Sequence, residues 1–307
     1  MRKREVCPGK MHHICQRSHD GGLLFYSPTD CLVFFTIFCT LAERMEIPVA
    51  ALCLMPDHVH QLIIASDRQQ LASFQKECSR LFAREWNRSR ERKGPVFRHG
   101  FGSAVPEGDA QIRSTLAYNY NRPVERSLCP RAEQYRWNFL AYALRPHPFS
   151  AALDEPRASR PLRRALQEAR YCQRHGTFLR YRQLDRWFRE LCPEEARQLT
   201  DALIGLWNVV DYRLAASYYD SLEGMIRSFH EHSGSGYAFR EAGDSGSDAV
   251  YKDFSRLLLK EKRIRHVRDI PMLPDWQKAQ LAQMLGQRTP SPPRQIGKYL
   301  HWHPDAG

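Results

Sequence analysis

The pattern of apolar and polar positions divides the chain into two differently built parts. Residues His12–Arg17 alternate in the manner of a strand and run into Gly21-Gly22, which predicts a turn with Leu23–Tyr26 as the returning strand. Ser27-Pro28-Thr29-Asp30 then reads as a helix start, with Ser27 at the N-cap and Pro28 at the first helical position, and the helix should continue to about Met45. Val49–Met55 has the continuous apolar character of a buried strand; Pro56-Asp57 breaks it, and His58–Ala65 is the strand that follows. Gln69–Arg90 repeats apolar residues at helical spacing, with Leu71, Phe74, Cys78, Leu81 and Phe82 on one face. Gly94–Ala104 is strand-like between glycines, and a helix from Asp109 or Ala110 to about Arg122 is expected to stop at Pro123.

The order β-β-α-β-β-α-β-α predicts an α+β fold, an antiparallel sheet with helices packed on it. Neither a dinucleotide-binding glycine fingerprint nor a phosphate-binding loop argues for a doubly wound sheet. The proline-rich stretch Arg145–Pro161 reads as a linker. This gives a first domain over 1–147, a linker over 148–161, and an all-α region over 162–307. In that region a Gly/Ser-rich stretch, Ser233–Asp248, interrupts the helical pattern, and short helices are expected at Val250–Arg263, Asp275–Leu285 and Pro293–Leu300. The last two, joined through Gly286–Pro292, suggest a helix-turn-helix over 275–300 whose second helix would present Arg294 and Lys298 to a DNA groove.

Composition narrows the class of partner. With 46 Lys+Arg against 34 Asp+Glu the net charge is +12, which points to a polyanion and first to nucleic acid. The longest apolar run, around Cys31–Cys39, is well short of the roughly 20 residues that span a bilayer, so no membrane partner is expected. The basic start Met1-Arg-Lys-Arg leads into no apolar secretory segment. Nine scattered cysteines without a CxxC pair argue against a disulfide framework or a zinc ribbon, and the expected location is a reducing cytoplasm.

Candidate chemistry centres on a histidine pair. His-x-His occurs three times, at His58/His60, His230/His232 and His301/His303, so the motif alone is weak. Only His58/His60 lies in a predicted strand, where residues i and i+2 share a face about 6.5–7 Å apart and two imidazoles can converge on one metal. Val59 would enter the core while both histidines point away from it.

Around this pair the residues resemble a known family. Ala51–Ile63, with Met55-Pro-Asp-His-Val-His60 at its centre, is similar to the metal-binding signature of the REP-associated tyrosine transposases, single-tyrosine endonucleases of the His-hydrophobic-His type. Four further segments match in the family's order: His13–Arg17 with Leu24-Phe25, Gly94–Arg98 with Phe101, Tyr118 through Pro123-Val124, and Tyr135-Arg-Trp137. The resemblance covers about residues 10–140. It implies a ferredoxin- or RRM-like sheet and an enzyme that cleaves and rejoins single-stranded, hairpin-bearing DNA through a 5′-phosphotyrosine. It also implies a divalent metal, Mg²⁺ or Mn²⁺, on His58 and His60, and Tyr118, five residues before Pro123, as the catalytic nucleophile. Tyr120 is the second candidate for the nucleophile; two positions along the same helix, it should face away from whatever Tyr118 faces. Family members act as dimers or as monomers, so a homodimer is one of two assemblies implied. Where the family presents an amide four residues after the tyrosine, this chain has Arg122, which offers no lone pair. Asn121, Glu125 and Asp57 are the alternatives for that position. The same departure leaves open a second reading, a catalytically silent DNA-binding relative.

The residues themselves also suggest a DNA surface. Arg80, Arg84, Arg88, Arg90, Arg92, Lys93 and Arg98 crowd one stretch against only Glu85 and Glu91, which suits a phosphate-tracking face. The interleaved Phe82, Trp86 and Phe97 are expected in the core. A third class, an RNA-binding α+β module, would share the fold outline without needing the histidine pair.

Overall fold

A computed structural model of the chain describes residues 6–231 and 247–302. Most of the Gly/Ser-rich stretch Ser233–Asp248 lies outside the described residues, as do His232 and His303. Four strands, β1 (Met11–Arg17), β2 (Val49–Met55), β3 (His58–Ile64) and β4 (Gly102–Ala104), form an antiparallel sheet in the order β2-β3-β1-β4. Helices α1 (Pro28–Arg44) and α2 (Arg68–Ser89) cover one face, and α3 (Gly108–Glu125) covers the other.

Strand alternation dictates this two-sided packing. Ile14, Leu52, Val59 and Ile63 meet Phe34, Phe38, Phe74 and Phe82 of α1 and α2, while Ala51 and Leu62 meet Leu116 and Tyr120 of α3. Each large apolar side chain taken fully from water there contributes about 1.5–3 kcal/mol. Residue Ser27 caps α1 as its sequence predicts: its hydroxyl accepts from the Asp30 N–H, and the Asp30 carboxylate accepts from the Ser27 N–H.

The structure departs from the sequence pattern at three places. Leu23–Tyr26 is no returning strand. The N–H groups of Leu24 and Phe25 both donate to the Pro56 carbonyl (2.7 and 3.0 Å), so the segment wraps the β2–β3 turn, and docking Leu23, Leu24 and Phe25 replaces pairing. In the stretch 94–104 only Gly102–Ala104 is a strand, preceded by an isolated bridge between Phe97 and Ser18. Gly94 and Gly100 take left-handed φ values of 104° and 84°, which break a continuous ladder. Helix α3 runs through Pro123 to Glu125, because a proline so near the end removes only one intrahelical bond. The chain then turns out of the helix through Leu128, whose N–H donates to the Pro123 carbonyl at 2.8 Å.

The rest of the described chain is helical: α4 (Arg160–Arg174), α5 (Tyr181–Arg189), α6 (Pro193–Trp207), α7 (Tyr212–Ala216), α8 (Leu222–Glu231), α9 (Val250–Lys260), α10 (Asp275–Arg288) and α11 (Pro293–Leu300). Leu162, Leu166, Leu199, Leu203 and Trp207 join the core formed by α1 and α2. Phe229 of α8 stacks on Tyr120 of α3, and α9, α10 and α11 share a third core that takes in Leu23. The proline-rich stretch before α4 is fastened along α6: the Phe149 N–H and the Ser150 hydroxyl donate to Asp201, and the Ser159 N–H donates to Glu195.

A buried charge cluster ties the two parts. Asp30 of α1 receives Arg90 at 2.7 Å and the Tyr181 hydroxyl of α5 at 2.6 Å, all three out of solvent. Arg90 belongs to the basic run of the sequence, yet it is a core residue with its guanidinium over Trp86. The pair α10–α11 does form, but α11 buries Gln295 through Leu300 and exposes only Pro293 and Arg294. As folded, it is a core helix that a DNA groove cannot receive.

Candidate active site

β3 places His58 and His60 on the face that α3 covers, and both are buried, at 2% and 0% exposure. β1 lies between β3 and β4, so its His13 comes to the same patch: His13 Nε2 and His60 Nδ1 share a hydrogen bond of 3.1 Å, with their rings stacked. The His58 Nδ1–H donates to Asp57 Oδ1 at 2.6 Å, because a carboxylate can only accept. Lys298 Nζ of α11 meets Asp57 Oδ2 at 2.9 Å. Burial alone would raise the Asp57 carboxyl, but His58 and Lys298 outweigh it and hold the group well below the usual carboxylate range. Burial first, then the neighbouring His58 and His13, pushes His60 well below an ordinary histidine, so its ring is neutral at physiological pH.

The edge of the Tyr118 ring, from α3, approaches His60 and His13 with centroids 5.4 and 5.7 Å apart. Tyr120 points elsewhere, as expected for its place on the helix. Its hydroxyl donates to the Ala50 carbonyl at 3.2 Å, and burial raises its phenol well above the ordinary value. The structure therefore gathers His58, His60 and Tyr118, and adds His13, which the sequence pattern offered only as a strand residue.

The alternatives to an amide at position 122 are otherwise engaged. Arg122 lies over the Tyr118 ring at 5.6 Å and pairs with Glu125 at 3.1 Å. Asn121 Nδ2 donates to the Phe229 carbonyl, and Asp57 serves His58 and Lys298. Among the described residues no group of three or more His, Cys, Asp and Glu side chains is arranged to hold a metal ion. The two histidines nevertheless suit a ligand pair: each has its Nδ1 fixed by a neighbour, and the Nε2 of His58 is buried with no hydrogen-bond partner among the described residues. The other His-x-His pairs use their described members structurally, His230 on Glu133 and His301 on Asp20.

The basic residues do not converge on this cluster. Arg80, Arg84 and Arg88 line the outer face of α2, on the opposite side of the sheet, 50%, 43% and 64% exposed. Arg80 pairs with Glu77 at 2.5 Å. Arg92 donates to the Pro95 carbonyl and lies over Trp86; Lys93 is exposed. Arg98 is exposed and lines, with Lys76 and Arg80, a groove of about 410 Å³ floored by Gln16, Gln75 and Phe97. Arg294 is exposed at the start of α11, whereas Lys298 is buried at Asp57 and presents no cation to a surface-bound strand. Phe82, Trp86 and Phe97 are in the core, as expected. All nine cysteines are free thiols, and among the described residues no helix is long and apolar enough to cross a membrane.

The match to one family model agrees with the sequence resemblance. Residues 28–120 match the family model described as "Transposase IS200 like". A solved structure of a REP-associated tyrosine transposase bound to a REP hairpin is similar over 47% of this chain and 84% of its own, with 11% identity and a TM-score of 0.41. No curated protein matches the chain. The family match runs from the first residue of α1 through Tyr120 and so takes in His58, His60 and Tyr118, while His13 and Lys298 fall outside it. Residues 28–120, about a third of the chain, are therefore similar to the IS200-like transposase family.

Proposed function

We propose that the protein cleaves and rejoins single-stranded, hairpin-bearing DNA with Tyr118 as nucleophile. The observation that carries this reading is the Tyr118 ring packed edge-on against His60, on the buried patch that also holds His58. The Tyr118 oxygen forms a bond to the scissile phosphorus as the bond to O3′ breaks. The products are a 5′-phosphotyrosine and a free 3′-hydroxyl; the proton lost by the phenol to solvent during attack is balanced by the one O3′ takes up from solvent as it leaves. Reversal of the same step by a 3′-hydroxyl rejoins the strand without ATP, since the phosphodiester energy is kept in the tyrosyl ester.

A phenol with a pKa of about 10 is a weak nucleophile at neutral pH, so charge on the phosphate must be offset. A divalent ion held by Nε2 of His58 and His60 would supply that Lewis acidity, and imidazole nitrogens suit Mn²⁺ better than Mg²⁺. Asp57 and His13 orient the two rings, and the neutral state of His60 keeps it competent as a ligand. Catalysis in this reading belongs to the chain's IS200-like part. The exposed arginines of α2 would bind DNA backbone away from the reacting phosphate.

The test is a gel for covalent protein–DNA adduct, with Mn²⁺ and hairpin-bearing single strands from beside the protein's own gene. Wild type should give an adduct, and Tyr118→Phe should give none while still binding DNA; adduct persisting in the variant would move the nucleophile elsewhere. One observation favours the silent, DNA-binding reading, namely Arg122 over Tyr118 where the family has an amide. Binding without adduct in wild type, together with adduct in Arg122→Gln, would establish that second reading.

A further inference from the structure

We infer that Lys298, in the last helix, is a positioning residue for His58, so that the metal affinity of the histidine pair depends on the C-terminal end of the chain; this rests on the metal reading above. The two oxygens of Asp57 are divided between two donors, Oδ1 for the His58 Nδ1–H at 2.6 Å and Oδ2 for Lys298 Nζ at 2.9 Å. A carboxylate engaged on both oxygens cannot rotate away from the imidazole, and the imidazole so held has one tautomer, with the lone pair on Nε2. Asp57 is 6% exposed and Lys298 8%, so the pair is kept from water and from screening salt. Without Lys298 the buried carboxylate loses the cation that balances it, and its orientation toward His58 is no longer unique.

One loop holds both partners in register. Between β1 and α1, the N–H groups of Leu24 and Phe25 donate to the carbonyl of Pro56, the residue before Asp57. From the same loop the Tyr26 hydroxyl donates to the Tyr299 carbonyl at 2.6 Å, the residue after Lys298. His301 closes the clamp, bonded to Asp20 at 2.8 Å and to the Leu23 carbonyl at 2.9 Å. Two glycines make room for it. A Cβ at Gly22 would lie 2.5 Å from the His301 ring, and one at Gly297 would lie 2.5 Å from the Trp302 carbonyl oxygen. A helix more than 230 residues downstream is thereby fixed to the β2–β3 turn that carries the first histidine.

The experiment is Mn²⁺ titration of the full-length protein without DNA, read by calorimetry or by loss of the free-ion EPR signal. Loss of an outer partner of a ligating histidine weakens metal binding by about 10–100-fold. Lys298→Met should lie near the lower end, about 10-fold, because Asp57 remains, and Lys298→Arg should recover most of the affinity. Should Lys298→Met fail to fold, Lys298→Gln, which keeps a donor for Asp57 Oδ2 without the charge and leaves Asp57 in place, should still bind Mn²⁺ more weakly than wild type. Wild type and folded variants binding Mn²⁺ equally would overturn the inference and leave the metal reading standing. Wild type binding no Mn²⁺ would overturn both.

Discussion

At the scale of single residues, the proposed function assigns different roles to two tyrosines on one helix. Tyr118 lies edge-on to two histidines, whereas Tyr120 is stacked on Phe229 with its hydroxyl on the Ala50 carbonyl. Tyr120→Phe should therefore leave adduct formation intact and cost about 0.5–1.5 kcal/mol, the net worth of one hydrogen bond, read from urea denaturation. Adduct lost in Tyr120→Phe but kept in Tyr118→Phe would reverse the assignment. The residues that were legible in the sequence are those whose placement depends on local periodicity. His58 and His60 share a face because strands alternate, and Tyr118 and Tyr120 diverge because helices turn about 100° per residue. His13 was not legible as a site residue, because its approach to His60 depends on β1 being inserted between β3 and β4. Lys298 was misread as a surface cation for the same reason: no local pattern says which buried carboxylate lies opposite a distant lysine.

At the scale of elements, the joint of α1, α2 and α5 is built on a charge that the core must neutralise. Burial would raise Asp30, but Arg90 and the Tyr181 hydroxyl reverse the effect and hold its carboxyl below the ordinary value. A carboxylate depressed in the folded state contributes stability above its unfolded pKa, about 3.9, and loses that contribution as pH falls toward the folded value. Arg90→Met leaves Asp30 buried and unpaired and should cost about 3–5 kcal/mol at pH 7. The gap between wild type and variant should narrow below about pH 4, where the unfolded chain begins to take up the proton that folded wild-type Asp30 refuses. A gap independent of pH would mean that Arg90 acts by packing on Trp86 alone. Element existence was legible for α1, α2, α3 and the last three helices, which carry their own apolar stripes and, in α1, its own cap, whereas the stretch that folds as α4 to α8 was legible only as helical, without its breaks. The misread elements were those governed by partners. Leu23–Tyr26 has strand composition but finds the Pro56 carbonyl, and α11 has the exposed-looking Arg294, Gln295 and Lys298 but buries the last two.

At the scale of the whole molecule, the helical region continues the core of the sheet domain: Leu162, Leu203 and Trp207 pack with the helices over the first face, and α11 reaches the turn before His58. In the proposed reading, binding and chemistry are divided across the sheet, with the histidine–tyrosine cluster on the face that α3 covers and the row Arg80, Arg84, Arg88 outside α2. A single strand that engages both must pass an edge of the sheet, and Arg98 stands beside β1 and the β4 edge, its N–H on the Arg17 carbonyl. Replacing Arg80, Arg84 and Arg88 together by alanine should weaken single-strand binding at low salt. If each contacts one phosphate, the slope of log K against log salt should fall by about 2, at roughly 0.7 per phosphate neutralised. Glu77 pairs with Arg80, and Glu85 lies within 4.0 Å of both Arg84 and Arg88, so all three cations are partly neutralised and the change should fall somewhat short of that figure. Adduct yield on saturating DNA should hold, because none of the three lies on the face of the sheet that carries Tyr118. A salt slope unchanged in the triple variant would place the DNA path elsewhere on the surface. Adduct lost at saturation would mean instead that the row outside α2 positions the reacting phosphate across the thickness of the sheet.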